Sequence, residues 1–77
     1  TTVNNDDGSF DVIFDYNSNL PYSYKIVDMV GNIVSEKAGI NAVNGSNILN
    51  VKSHLASGVY TIMIHNQQET VTRKIFR

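Results

Sequence analysis

Hydrophobicity that repeats every second residue is the feature that most limits what this chain can fold into. Phe10, Val12 and Phe14 alternate with Ser9, Asp11 and Ile13. An extended strand would turn the first set toward a core, and the apolar Ile13 on the other set points to partial cover on that side too. The same period returns in Tyr22, Tyr24 and Ile26, with Lys25 on the opposite face, and again in Tyr60, Ile62 and Ile64. No segment carries a convincing helical period, so the core must be built between sheets.

The segments between these strands read as turns. Asn17-Ser18-Asn19-Leu20-Pro21 is a loop, because Asn and Ser bond their own backbone locally and Pro cannot donate to a ladder. After a strand covering Tyr22 to Asp28, Gly31-Asn32 is expected to supply the positive φ values of a tight reversal. Ile33, Val34 and Ser35 then return antiparallel to Tyr24 to Val27. Gly39 to Ser46 reads as a loop, pinned to the core by Ile40 and Val43 and turned by Asn44-Gly45, with a short strand from Ile48 to Val51. Leu55 is expected to tuck under the sandwich before Gly58 turns the chain into the strand Val59 to His65. Asn66-Gln67-Gln68 then reverses it into a closing strand, Val71 to Phe76. Roughly six to seven short strands at spacings of about 8–12 residues predict an all-β fold, a small antiparallel β-sandwich.

Composition narrows the function classes. The chain has 77 residues and no Cys, so one thin core must hold without disulfide or thiolate-metal staples. Six Lys and Arg against seven Asp and Glu give a formal charge of -1, which lacks the field that draws a protein to nucleic acid or an anionic membrane. The longest apolar run falls well short of the ~20 residues of a membrane-crossing helix. Because the sequence opens on Thr1 without a charged and apolar leader, it reads as a single domain, residues 1 to 77, cut from a longer protein.

Few residues suggest chemistry. Asp15, Asn17 and Asn19 have the spacing that opens an EF-hand loop, but Leu20 stands where the sharp turn needs Gly and Ile26 where a bidentate Glu belongs. Asn4-Asn5-Asp6-Asp7-Gly8 gathers oxygens, yet the same letters describe a turn entering a strand. His54 and His65 do not make a zinc spacing, and Ser53 and Ser57 lack the context of an activated nucleophile. No metal, no cofactor and no enzymatic activity are expected. Asn44-Gly45-Ser46 fits a glycosylation sequon formally, but a turn explains it. Tyr16, Tyr22, Tyr24 and Tyr60 could stack on sugars, although most share phase with apolar neighbours and read as core. Arg73, Lys74 and Arg77 form the one basic cluster, either an aggregation-blocking edge strand or a recognition feature.

Three ordered segments carry a resemblance. They are Asn4-Asn5-Asp6-Asp7-Gly8-Ser9-Phe10-Asp11-Val12, then Ile26-Val27-Asp28-Met29-Val30-Gly31-Asn32-Ile33-Val34, then Leu55-Ala56-Ser57-Gly58-Val59-Tyr60-Thr61-Ile62-Met63-Ile64 with Lys74-Ile75-Phe76-Arg77 at the end. Together they resemble the C-terminal sorting domain of the bacterial type IX secretion system. Val3 and Asn5 stand where that family has two prolines, and the approach to Leu55 is longer than usual.

The resemblance implies an immunoglobulin-like β-sandwich at the end of a cargo protein that reaches the periplasm by a separate signal peptide. The domain would direct that cargo through an outer-membrane translocon, after which a sortase-like peptidase removes it and anchors the cargo at the cell surface. Asp28 and Gly31 would mark the hairpin motif, Gly58 and Tyr60 the structural signature, and Lys74, Ile75, Phe76 and Arg77 the segment the machinery reads. A monomer without direct membrane insertion is expected. The alternatives are a carbohydrate-binding or adhesive sandwich of a surface enzyme, and a plain spacer.

Overall fold

A computed structural model of the chain describes residues 2–52 and 55–77. Its strands are β1 (Thr2–Asn4), β2 (Phe10–Tyr16), β3 (Tyr22–Val27), β4 (Ile33–Ile40), β5 (Gly45–Val51), β6 (Val59–His65) and β7 (Thr70–Phe76). They form a three-stranded sheet in the order β1-β2-β5 and a four-stranded sheet in the order β4-β3-β6-β7. Every adjacent pair is antiparallel. In immunoglobulin lettering this is an A-B-E sheet facing a C′-C-F-G sheet, so the chain crosses between layers after β2, β4 and β5.

Alternation builds the core as the sequence requires. Phe10, Val12, Phe14 and Tyr16 from β2 and Leu49 and Val51 from β5 meet Tyr22, Tyr24, Ile26, Tyr60, Ile62, Ile64, Val71 and Ile75 from the facing sheet. Ile13 is half-buried on the outer face, and Leu55 packs against the core edge. Phe14, Tyr16 and Tyr22 meet edge to face, with centroids 5.6–5.8 Å apart. Each such contact adds about 0.5–1.5 kcal/mol beyond burial.

The turns depart from the sequence reading in physical detail. No non-glycine residue among those described has positive φ, so Gly31 alone, at φ 90°, supplies it between β3 and β4, and Asn32 does not. Gly31 N–H donates to the Asp28 carbonyl (3.1 Å) and Asp28 N–H to the Asn32 carbonyl (3.0 Å). This is a type I turn closed by a glycine bulge. The Asp28 carboxylate also accepts from Val30 N–H and Asn32 N–H at 3.0 and 2.9 Å. The same construction joins β1 to β2: Gly8 N–H (φ 87°) donates to the Asn5 carbonyl, and Asn5 N–H to the Ser9 carbonyl. There Asp7 accepts from Ser9 Oγ at 2.6 Å and Ser9 N–H at 3.0 Å, bonds that hold its carboxyl below the usual range.

Three boundaries differ from expectation. Thr2–Asn4 pairs with Phe10 to Val12 as an edge strand, because the turn from Asn5 to Ser9 folds it back on β2. β4 runs through Gly39 to Ile40 instead of ending near Ser35: between Tyr22↔Ile40 and Tyr24↔Lys37 it holds an extra residue, and Gly39 at φ 70° absorbs that bulge. Ile40 does pack on the core, but Val43 is 58% exposed and does not pin the following loop. The buried Asn47 takes that role: it accepts from Val43 N–H (3.0 Å) and donates to the Val43 and Gly45 carbonyls (2.8 and 3.0 Å), so β5 starts at Gly45.

Candidate functional site

Two of the sequence signatures, Leu55 to Tyr60 and the last residues, are bonded to each other. Gly58 N–H donates to the Arg77 carbonyl (3.1 Å) and Arg77 N–H to the Gly58 carbonyl (2.9 Å), which extends the β6–β7 ladder past the ends of both strands. Gly58 sits at φ 156°, and the ring edge and hydroxyl of Tyr60 lie 3.8 and 3.9 Å from where a Cβ would stand, an ordinary contact. Two residues on, the buried Tyr60 turns its hydroxyl back to donate to the Ala56 carbonyl at 2.8 Å. That bond is a tyrosine corner, the device by which sandwich folds fix the arch leading into this strand. Tyr60→Phe is expected to cost roughly 1 kcal/mol, or about 4–8 °C in Tm. Tyr24→Phe is the control, since its hydroxyl has no hydrogen bond among the described residues. Equal thermal shifts in the two variants would remove the corner's role.

Ladder phase then sorts the terminal segment. Because Gly58 and Arg77 exchange both their bonds, Ile75 with Tyr60 and Arg73 with Ile62 are the next bonded pairs. The N–H and C=O groups of Thr72, Lys74 and Phe76 therefore point away from β6, toward the open edge of the sheet. Side chains divide in the same alternation: Ile75 is fully buried, Phe76 is 70% exposed, and Lys74 is exposed.

Arg77 is half-buried and reaches across to the other sheet. Its guanidinium donates to Asn4 Oδ1 and to the Gly8 carbonyl (3.1 Å), and lies 4.9 Å from the centre of the Phe10 ring. Nothing in the sequence pattern signals this clasp, since the partners are a turn carbonyl and an edge-strand amide.

The hairpin motif converges on the same end of the molecule. A groove of about 240 Å³ is lined by Asp28, Met29 and Val30 of the β3–β4 turn and by Ser57, Gly58, Val59 and Tyr60. Met29 and Val30 are 81% and 80% exposed at its rim. Asp28 and Gly31 thus shape a turn beside the Gly58 arch, and the sequence segments separated along the chain become neighbours.

The opposite end is a polar clasp between loops. Tyr16 hydroxyl donates to the Glu69 carbonyl (3.0 Å), Asn17 N–H to the Glu69 carboxylate (2.6 Å), and Ser18 Oγ to Gln68 Oε1 (2.8 Å). Burial first, then the Glu69 charge, pushes the Tyr16 phenol up, so it remains a donor.

The other residues weighed for chemistry are dispersed. Asp15, Asn17 and Asn19 are exposed around the end of β2, and His65 is exposed at the end of β6. Ser53 and His54 lie outside the described residues. Among the described residues no three His, Asp or Glu side chains gather as a cation site. The four tyrosines are 0–9% exposed, so they form core instead of a sugar-stacking surface.

The profile of the family described as the secretion system C-terminal sorting domain matches residues 6–76, from the β1–β2 turn to the end of β7. No curated protein and no solved structure gives a significant match.

Proposed function

Because the chain belongs to the family of secretion-system C-terminal sorting domains, we propose that it directs a cargo protein across the outer membrane by the type IX route and is then removed as the cargo is anchored at the cell surface. An outer-membrane translocon and a sortase-like peptidase are the partners in this reading. The cargo passes through the periplasm, and the domain acts by recognition without catalysis of its own.

One observation carries the reading: a basic and an aromatic side chain, Lys74 and Phe76, stand exposed on an edge strand whose alternate residues hold it to the body. A folded domain can then offer a fixed strand without opening its core to make the contact. Deleting residues 74–77 would be an ambiguous test, because it also removes the buried Ile75 and the Arg77 clasp.

The informative variant is Lys74→Glu with Phe76→Ser in the full cargo protein, both changes lying on the exposed face of β7. Surface display should be lost, with folded cargo retained in the periplasm, while the melting temperature stays within a few degrees of the parent, as for surface substitutions of about 0.5 kcal/mol or less. Normal surface display of this double variant would refute the assignment of β7 as the signal.

A further inference from the structure

We infer that the groove between β1 and β7 takes an extended acidic peptide segment of the partner protein, added as a new outer strand on the free edge of β7. The inference rests on the sorting reading and gives the partner's chemistry. Strand β7 ends the order β4-β3-β6-β7, and the ladder partner of β1 is β2, so among the described residues no backbone ladder joins the two edges across the gap between them. The groove there, of about 350 Å³, is lined by Thr2, Asn4, Arg73, Lys74 and Phe76, with two cations and no carboxylate. Arg77 closes one end by bridging to Asn4 and Gly8.

The chemistry of the edge selects its occupant. Arg73 shares phase with the buried Val71 and Ile75 yet is exposed, and its guanidinium folds back to donate to the Thr72 carbonyl at 3.0 Å. A cation laid over its own edge discourages indiscriminate pairing. A second copy of this chain would bring the same two cations opposite these, which is unfavourable across strands. A carboxylate offers Arg73 a charged partner and frees the Thr72 carbonyl for the ladder.

Antiparallel addition fixes the order of the occupant's residues. An apolar residue falls opposite Phe76, the one after next opposite Lys74, and the following one opposite Arg73. The recognised pattern is therefore apolar, any residue, acidic, acidic.

The test uses the 77-residue protein and a synthetic probe, acetyl-Thr-Val-Thr-Glu-Glu-Thr-Val-amide, followed by backbone amide shifts. The probe should move the amides of Thr72, Lys74 and Phe76 together with those of Thr2 to Asn4. Binding should weaken about tenfold or more when both Glu are changed to Gln or when salt is raised to ~1 M, where the screening length is about 3 Å. N-methylation of the first Glu, which lies opposite Lys74 and exchanges bonds with it, should abolish binding while leaving the protein untouched. Shifts centred elsewhere, binding indifferent to N-methylation, or no binding would each overturn strand addition. If Lys74→Glu with Phe76→Ser still blocks cargo delivery in that case, the sorting role stands and only the mode of contact falls.

Discussion

Ile75→Ala is expected to lower stability by roughly 2–5 kcal/mol, whereas Phe76→Ala, one residue on, should change it by about 0.5 kcal/mol or less. Ile75 is fully buried between the sheets, and Phe76 is 70% exposed on the outer face. Truncating the first leaves a cavity lined by core side chains, which a close-packed interior cannot fill by relaxing. A domain of 77 residues is stable by only about 4–12 kcal/mol at the usual 0.05–0.15 kcal/mol per residue. The Ile75 variant should therefore melt about 8–40 °C lower. Thermal denaturation of both variants reads the difference directly. Similar losses in the two would mean that β7 does not present alternate faces to core and solvent.

Arg77→Ala should cost about 1–3 kcal/mol, the sum of hydrogen bonds from a charged donor and a guanidinium held over an aromatic ring. The side chain ties the last rung of the ladder to Asn4 and Gly8 and shields the Phe10 ring. Arg77→Lys should recover less than half of that loss, because an ammonium cannot reproduce a planar fork that bonds two acceptors and stacks on a ring. The location of the effect is as informative as its size. Hydrogen exchange in Thr2–Asn4 should accelerate in Arg77→Ala while the central β3–β6 ladder keeps its protection. Unchanged exchange in β1 would show that the clasp contributes nothing to closing the sandwich.

Strands whose two faces differ in polarity were readable from the sequence, and those that lie at edges were not. In β2, β3 and β6 every second residue is buried, so period two named their inner sets correctly. Strand β4 is exposed or half-exposed along its whole length and carries Gly39 inside it, so a loop reading ended it early. Strand β1 has only three residues, all exposed, and is held by backbone pairing that leaves no hydrophobic pattern. The loop before β5 misled for another reason: a buried amide, Asn47, does the anchoring that an apolar Val43 was expected to do. Of the candidate site, the motif order and the exposed Lys74 were legible. The division of 74–77 into core, clasp and surface was not, since it follows from the pairing of Gly58 with Arg77.

The bridge from Arg77 to Asn4 and Gly8 joins positions 73 and 69 residues apart. The β6–β7 and β3–β4 pairs, by contrast, close over short turns. The entropy of closing a chain grows with the length enclosed, and pairings remote in sequence form late in folding. The hairpins of the four-stranded sheet can thus assemble first, with the bridge set in place only after the first and last strands have met. A translocation apparatus that engages β7 in its seated form would be reading more than an address. It would be reading the completion of folding, and a domain caught half-assembled would not yet display the edge that admits it.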